Sequence, residues 1–388
     1  NNMKILVIGG IAKSLINFRG DLLNDMLQKG HEVHTAAGET SEEDKVSLQA
    51  LGVQHHSLNL ARASVDIIFD LKLFISIWKL SREIRPDLVF CYTIKPATIG
   101  VISSWLAGAN RICVMITGLG YAFENNNSII RNIVAILYKI SLSRCSVIIF
   151  QNKDDQEYFR NRHILSKSSD ARLINGSGVN TDYFAYSAPR QHPVSFLMIC
   201  RLLWTKGVKE FVSAAREVRV VYPEALFYLI GDVDSNPNSI PIKQIEIWNK
   251  EGLVRYLGYK KDVRPWIRDC SAYVLPSYSE GLPRTILEAM SVGRPIITTD
   301  VPGCRDTIEF DPTSPGSEII EYKNNKIKKG SNGLLVPARN PDALAAAIFY
   351  LIENPDERNR MGLRSREIAS SKFDVRKINA KMREYLGY

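Results

Sequence analysis

Two carboxylates and two cations in the second half of the chain have the types and spacing for chemistry on a phosphorylated sugar. Glu280 and Glu288 stand in the run Ser279-Glu-Gly-Leu-Pro-Arg-Thr-Ile-Leu-Glu-Ala-Met-Ser291. Between them a Gly281-Leu282-Pro283 turn reads as the entry to a helix, with Pro283 as its first residue because proline has no N–H to leave unpaired there. Glu288 then lies roughly 8 Å along that helix. The first helical N–H groups point back at the turn, where a phosphate can sit without a metal. Arg201 and Lys206 follow the apolar run Ser195–Cys200 in a segment that opens another helix. Arg grips phosphate bidentately and Lys acts as a point charge, so together they can stabilise a leaving diphosphate. A diphosphate carrying hydroxyl-bearing rings at both ends, a nucleotide-sugar, fits this set. Glu280 would accept from sugar hydroxyls and orient the anomeric carbon, Glu288 would accept from the ribose, and Gly281, Leu282, Pro283 and Arg284 would shape the phosphate loop. The plainer readings are capping or salt-bridging carboxylates and surface cations on a loop.

Apolar runs alternate with amphipathic stretches along the chain, which predicts parallel sheets flanked by helices. In the first half, strands are expected over 4–8, 32–36, 88–92, 111–116, 147–151 and 172–174, with helices over 19–29, 67–85, 98–107 and 130–143. A polar, turn-rich stretch from Tyr183 to Pro193 reads as a linker. A second alternation follows, with strands over 195–200, 227–230, 254–256, 272–275 and 295–299. Two doubly wound sheets of this kind bind ligands beyond the carboxyl ends of their strands. Pro312–Lys329 is polar and lysine-rich and reads as a surface loop.

The 388 residues are too many for one ordinary core, and 45% hydrophobic with 23% charged residues is the balance of a folded chain. Six cysteines without a Cys-x-x-Cys pair read as buried thiols in a reducing compartment. No signal peptide is recognised before the first strand and no run is long enough to span a membrane, so a cytoplasmic location is expected. The formal charge of +9 suits a cationic surface, an anionic membrane or anionic substrates. No nucleic-acid module is recognisable. Gly9-Gly10 after the first strand lacks the Gly-x-Gly-x-x-Gly spacing of a dehydrogenase. Gly10 is read instead as allowing a ligand to approach the backbone. Asp232-Val233-Asp234 is read as a loop or base contact and not as a metal site, so no metal and no cofactor are expected.

The Glu-x7-Glu motif resembles the donor motif of retaining family-4 glycosyltransferases. Further matches are Cys200-Arg201-Leu202-Leu203-Trp204-Thr205-Lys206-Gly207, Leu229-Ile230-Gly231-Asp232, Tyr256-Leu257-Gly258-Tyr259, Val274-Leu275-Pro276-Ser277 and Gly333-Leu334-Leu335-Val336-Pro337. The resemblance implies the GT-B fold: two Rossmann-like domains, at 3–183 for the acceptor and 192–372 for the donor, facing a central cleft. A final helix within 373–388 would return to the first domain. It also implies retention of configuration by a front-face mechanism, donor contacts at Gly231 and Tyr259, and metal-independent use of a UDP-sugar.

The first-domain loops at Ser14–Gly20, Tyr92–Pro96 and Ile116–Phe123 resemble those of bacterial transferases that extend undecaprenyl-diphosphate-linked glycans, such as the N-acetylgalactosaminyl transferase. On this resemblance Asn17, Arg19, Lys95, Thr117 and Gly118 would bind the acceptor, with Arg19 and Lys95 toward the lipid diphosphate. Thr117 stands where many family members have histidine. The expected activity is transfer of a hexose or N-acetylhexosamine from a UDP-sugar to a lipid-linked glycan in surface polysaccharide synthesis, by an enzyme peripheral on the inner face of the cytoplasmic membrane. A UDP-sugar epimerase and a transferase to a soluble acceptor are the alternatives on the same fold. Helices carrying Trp78, Lys79 and Arg82 and Ile129, Arg131 and Lys139 are weighed for membrane contact, with core packing preferred for their apolar faces.

Overall fold

The computed structural model describes residues 2–60, 67–120, 123, 128–234, 236, 238–310 and 318–388. It divides into two compact units, 1–177 with 376–388, and 178–375.

The first unit is built on seven parallel strands: β1 (Lys4–Ile11), β2 (Glu32–Gly38), β3 (Gln54–Ser57), β4 (Leu88–Tyr92), β5 (Ile112–Ile116), β6 (Val147–Phe150) and β7 (Ala171–Leu173). Their order is β3-β2-β1-β4-β5-β6-β7, so the winding reverses between β1 and β4. Strands buried on both faces must be apolar throughout. Ile5 to Ile8 are fully buried, with Leu6 and Ile8 in the core cluster on one face and Ile5 and Val7 in that on the other. Helices α1 (Ala12–Gln28) and α2 (Glu42–Leu51) join the second cluster. The start of α2 is fixed by a capping box between Ser41 and Asp44. Helices α3 (Ile67–Ile84), α4 (Val101–Leu106) and α5 (Ser128–Leu142) join the first, and α6 (Lys153–Asn161) follows β6.

The second unit has eight strands. Six are parallel: β8 (Ser195–Ile199), β9 (Leu226–Ile230), β10 (Arg255–Tyr256), β11 (Ala272–Leu275), β12 (Ile296–Thr299) and β15 (Gly333–Val336). Between the last two come β13 (Glu318–Tyr322) and β14 (Asn325–Lys329), an antiparallel hairpin. The order is β10-β9-β8-β11-β12-β15-β14-β13, which reverses between β8 and β11. Helices α7 (Val208–Val221), α8 (Ile242–Lys250), α9 (Arg264–Asp269), α10 (Arg284–Val292), α11 (Pro341–Glu353) and α12 (Pro355–Lys372) flank it. The last helix, α13 (Val375–Leu386), packs Ile378, Met382 and Leu386 into the first unit's core. There Arg383 meets Asp25 at 2.8 Å and the Leu386 carbonyl accepts from Arg111 Nε. Among the described residues no helix is long and apolar enough to cross a membrane.

Three local expectations need correction. Residues 14–20 are helix and not loop: β1 runs to Ile11 and α1 starts at once, with Gly20 inside it. The stretch 183–193 belongs to the second unit, where Phe184 joins the core and the Ser187 carbonyl accepts from buried Arg294. Residues 318–329 form the hairpin because two alternating runs meet at Lys323-Asn324, both with positive φ, and Ile327 is buried. The part of the expected loop at 312–317, like Tyr121 and Ala122 of the loop after β5, lies outside the described residues. Strand β3, polar in composition, went unread.

Candidate active site

In the second unit the two carboxylates acquire separate cationic partners. Lys206 Nζ donates to Glu280 Oε1 at 2.5 Å, and Ser277 Oγ donates to the same oxygen at 2.8 Å. Lys206 and Glu280 are each 15% exposed at the side chain, so the pair is shielded yet reachable. Farther along, Arg284 Nε donates to Glu288 Oε1 at 3.3 Å, one turn apart on α10. Burial pushes the Glu288 carboxyl up, against the opposing pull of Arg284.

The backbone around Lys206 and Glu280 leaves little freedom. Lys206 ends a short 3-10 turn, Trp204–Lys206, and Gly207 follows at φ +79°. A Cβ on Gly207 would lie 2.1 Å from the Pro276 carbonyl, so the loop after β8 can approach the loop after β11 only because this residue is glycine. The Thr205 carbonyl accepts from Tyr278 N at 2.9 Å, and Tyr278 Oη donates to Glu210 on α7 at 2.7 Å. From the other side, Gly303 at φ +78° would place a Cβ 2.3 Å from the Glu280 carbonyl. Glu280 N donates to the Pro302 carbonyl, and Thr299 Oγ1 to that of Ser277. Glu280 is thus held by β8, β11 and β12 together, at the point where the sheet's winding reverses. Ligands of open α/β sheets bind at such points.

Pro283 is the N-cap of α10 and not its first helical residue; its extended backbone (φ −73°, ψ 111°) makes Arg284 the first. Its carbonyl accepts from Ile286 N, while Gly281 and Leu282 are buried beside it. Buried Tyr273 Oη donates to the Ile199 carbonyl at 2.9 Å and meets the Thr285 hydroxyl at 2.6 Å, tying the first turn of α10 to the end of β8.

Arg201 lies on the same loop as Lys206, half-exposed, with NH1 donating to buried Asp234 at 2.9 Å. Asp232 accepts from Val233 N, so the Asp232-Val233-Asp234 triplet splits: one carboxylate steadies its own loop and the other holds Arg201. Gly231 is packed so that a Cβ would meet the Cys200 carbonyl at 1.9 Å. Gly231 N donates to the Gly258 carbonyl at 3.1 Å, and its carbonyl accepts from Tyr256 Oη at 3.0 Å, which brings exposed Tyr259 beside this loop. Cys200 and Cys304 both lie within electrostatic reach of the pair. Burial pushes both thiols up to about 12, which leaves them poor nucleophiles.

In the first unit, Gly10, Lys95, Thr117 and Gly118 lie at the carboxyl ends of β1, β4 and β5, the three adjacent strands at that sheet's reversal. Arg19 does not join them as an exposed cation. It is buried in α1, with its guanidinium 4.7 Å from the Tyr92 ring centre, and donates to Ser177 Oγ at 3.1 Å. Asn17, two residues earlier, is exposed. Lys95 Nζ donates to Asp70 on α3 at 2.7 Å. Its segment enters a π-helical turn, Pro96–Gly100, a rare geometry often found at functional sites.

Supports that the sequence does not single out are Ser277, Gly303 and Glu210 around the glutamate and Thr93 in the first unit, while Asp234, read as a loop or base contact, holds Arg201. Thr93 has φ +69° and a buried hydroxyl with no hydrogen-bond partner among the described residues. A Cβ on Gly10 would lie 3.0 Å from that hydroxyl. Strain and an unsatisfied polar atom coincide where the winding reverses, a combination that marks binding sites. Spacing alone gives no signal for Gly303, Glu210, Asp234 and Thr93, which act through neighbours brought from other elements, while Ser277 acts within its own loop, three residues before Glu280.

Residues 193–354 match the family described as glycosyl transferases group 1, and residues 13–152 the one described as glycosyl transferase 4-like. The chain is 26% identical over 377 residues to an N,N'-diacetylbacillosaminyl-diphospho-undecaprenol alpha-1,3-N-acetylgalactosaminyltransferase of Campylobacter jejuni, covering 93% of this chain and 92% of that protein. It is 27% identical over 270 residues to an Escherichia coli UDP-Gal:alpha-D-GlcNAc-diphosphoundecaprenol alpha-1,3-galactosyltransferase, 64% of this chain and 67% of that one. Among solved structures, the sucrose-phosphate synthase of Thermosynechococcus elongatus superposes with a TM-score of 0.78 at 18% identity, covering 98% of both chains. Anabaena HepE in complex with UDP-glucose superposes at 0.74 with 19% identity over the full length of both.

Proposed function

The chain is a glycosyltransferase of the family-4 type with the GT-B fold, and we propose that it transfers a hexose or N-acetylhexosamine from a UDP-sugar to a polyprenyl-diphosphate-linked glycan, with retention of configuration and without a metal. The observation that carries this reading is the Lys206–Glu280 pair at the reversal point of the second sheet. A donor diphosphate arriving there meets Lys206, Arg201 and the first turn of α10. Lys206 and Arg201 offset the negative charge that grows on the leaving UDP. Glu280, held by Ser277, accepts from hydroxyls of the transferred sugar and fixes its anomeric carbon. Glu288 accepts from the ribose, and the loop joining Gly231 to Gly258 and Tyr259 receives the base.

In the first unit, Thr93, Lys95, Thr117 and Gly118 form the edge at which the acceptor sugar and its diphosphate bind. The two lipid-linked relatives support that class of acceptor, since both are named for transfer to sugars on diphosphoundecaprenol. In a front-face step the acceptor hydroxyl attacks as the bond to UDP breaks, and its proton passes to the departing phosphate. A panel of UDP-hexoses and UDP-N-acetylhexosamines assayed with EDTA present, with the product's anomeric configuration read by NMR, tests the donor, the metal and the stereochemistry together. Activity that vanishes in EDTA and returns with magnesium or manganese, or an inverted product, overturns the corresponding part.

A further inference from the structure

We propose that the outer face of the layer formed by α3, α4 and α5 docks on a lipid bilayer containing anionic phospholipid. The inference deepens the reading of a lipid-borne acceptor by naming the surface that meets the lipid, and it can fail separately from that reading.

All three helices send their buried side chains into one core cluster on one face of the first sheet: Leu73 and Ile77 from α3, Val101 from α4, Tyr138 and Leu142 from α5. Their opposite sides therefore turn outward together. On α3 the outward stripe is Ile68, Leu71 and Ile75, continued by Lys79 and Arg82. On α5 it is Ile129, Ile133, Ile136 and Ile140, with Arg144 just past the helix end. Ile68 is 66% exposed, Ile129 68% and Ile136 59%. α4 lies between them and presents Trp105 and Leu106.

Of the fourteen exposed large apolar side chains among the described residues of the first unit, eleven lie on this layer; the rest are Phe18, Val46 and Leu173. Scattered exposed isoleucines are ordinary, but a concentration on one helical layer marks a surface that is covered in use.

Charge selects the occupant. Helices α3 to α5 carry five cations, Lys72, Lys79, Arg82, Arg131 and Lys139, against Asp70 and Glu83, and Asp70 is engaged by Lys95. On the other face of the sheet, α2 opens with Glu42, Glu43 and Asp44. A second copy of this chain placed symmetrically on the layer would bring like charges together, whereas an anionic headgroup layer neutralises them. Apolar stripes bordered by Lys and Arg, with aromatic rings at the border, are the pattern of helices that lie in a bilayer interface. Here Arg144 sits 4.1 Å over the Trp105 ring and Arg82 5.6 Å over Trp78. The apolar preference of these helices, expected to be satisfied by core packing, is met there only on their inner sides.

The test is co-sedimentation of the whole chain with phosphatidylcholine vesicles, with and without phosphatidylglycerol. Wild type should bind the phosphatidylglycerol vesicles, less so as salt rises. The double variant Ile133→Glu with Ile136→Glu should lower that partition by at least about tenfold. Lys79→Glu with Arg82→Glu should remove the preference for phosphatidylglycerol, and Val220→Glu, an exposed site in the second unit, should change nothing. Circular dichroism melts confirm that each variant is folded, and the charge-reversal pair carries the test should the isoleucine variant fail to fold. Unchanged partition in both double variants, or no vesicle binding by wild type, overturns the proposal. So does a wild-type dimer in light scattering that the isoleucine variant converts to monomer without vesicle binding, which would make a second copy the occupant. Transfer to a short, water-soluble diphosphate acceptor reports on the function separately: its absence in wild type would strike the transfer reading and leave the vesicle result standing.

Discussion

Lys206 Nζ and Glu280 Oε1 lie 2.5 Å apart although 74 residues separate them in the chain. One arrives from the loop after β8, the other from the loop after β11, and glycines at 207 and 303 permit the approach. The pairing does two things at once. It keeps a cation at hand for a leaving diphosphate and holds the carboxylate that should meet the sugar.

Lys206→Ala should therefore lower kcat by about 10²-fold or more, since it removes charge that acts mainly in the transition state. Steady-state turnover with saturating UDP-sugar measures this. A normal kcat with only a raised acceptor KM would place Lys206 outside the donor site.

Gly303→Ala asks whether Glu280 is held from below. The new Cβ would crowd the Glu280 and Gly281 carbonyls in a backbone conformation that alanine resists. Strain and overpacking should cost about 2 kcal/mol of stability, and turnover should fall as Glu280 shifts. Urea denaturation and kcat together check it; a variant with wild-type values of both would show that the loop is not clamped there.

How much of this was legible in advance differs between the two units. In the second, Arg201, Lys206, Glu280 and Glu288 stand on loops next to apolar runs, so their type and order along the chain point to the site. Their partners do not: Ser277 is a serine among many, and Gly303 matters only because β12 returns beneath Glu280. In the first unit Arg19 misled, because a cation next to Asn17 and Phe18 reads as an exposed loop. The run from Ala12 to Gln28 is helical, and its inner side carries Arg19 over Tyr92. Thr93 could not be singled out, since its strain and its unsatisfied hydroxyl exist only once β4 lies beside β1.

Glu288 gives a pH signature. Its folded-state pKa is raised by burial above the ordinary 4.5, so on acidification it takes up a proton sooner than an exposed glutamate does. If its anion accepts from the ribose, KM for UDP-sugar should rise as pH falls toward 4.5, while Glu288→Gln should show a higher KM that varies less with pH. Stability runs the other way: in the window between 4.5 and the raised value the folded state binds more protons, so wild type gains on Glu288→Gln as pH falls. A wild-type KM that stays flat across this range contradicts the assignment.

His55 makes an opposite contribution in the first unit. Burial, helped by the charge of His56, pushes its pKa down to about 4, and its ring nitrogens face Thr35 Oγ1 and Thr40 Oγ1. The unfolded chain takes up a proton near 6.5, so stability is whole above that pH and declines as pH falls toward 4. Denaturation midpoints at successive pH values should fall through this window, and His55→Gln should flatten the decline. Equal slopes in both proteins would show that His55 titrates normally.

The most direct measurement is transfer of labelled sugar from a UDP-sugar to two acceptors that share a glycan, one carried on a polyprenyl diphosphate and the other free in solution. The account predicts efficient transfer to the lipid-diphosphate form, little to the free sugar, and loss of both in Lys206→Ala. Equal transfer to the free sugar, with no gain from the diphosphate lipid, would contradict it.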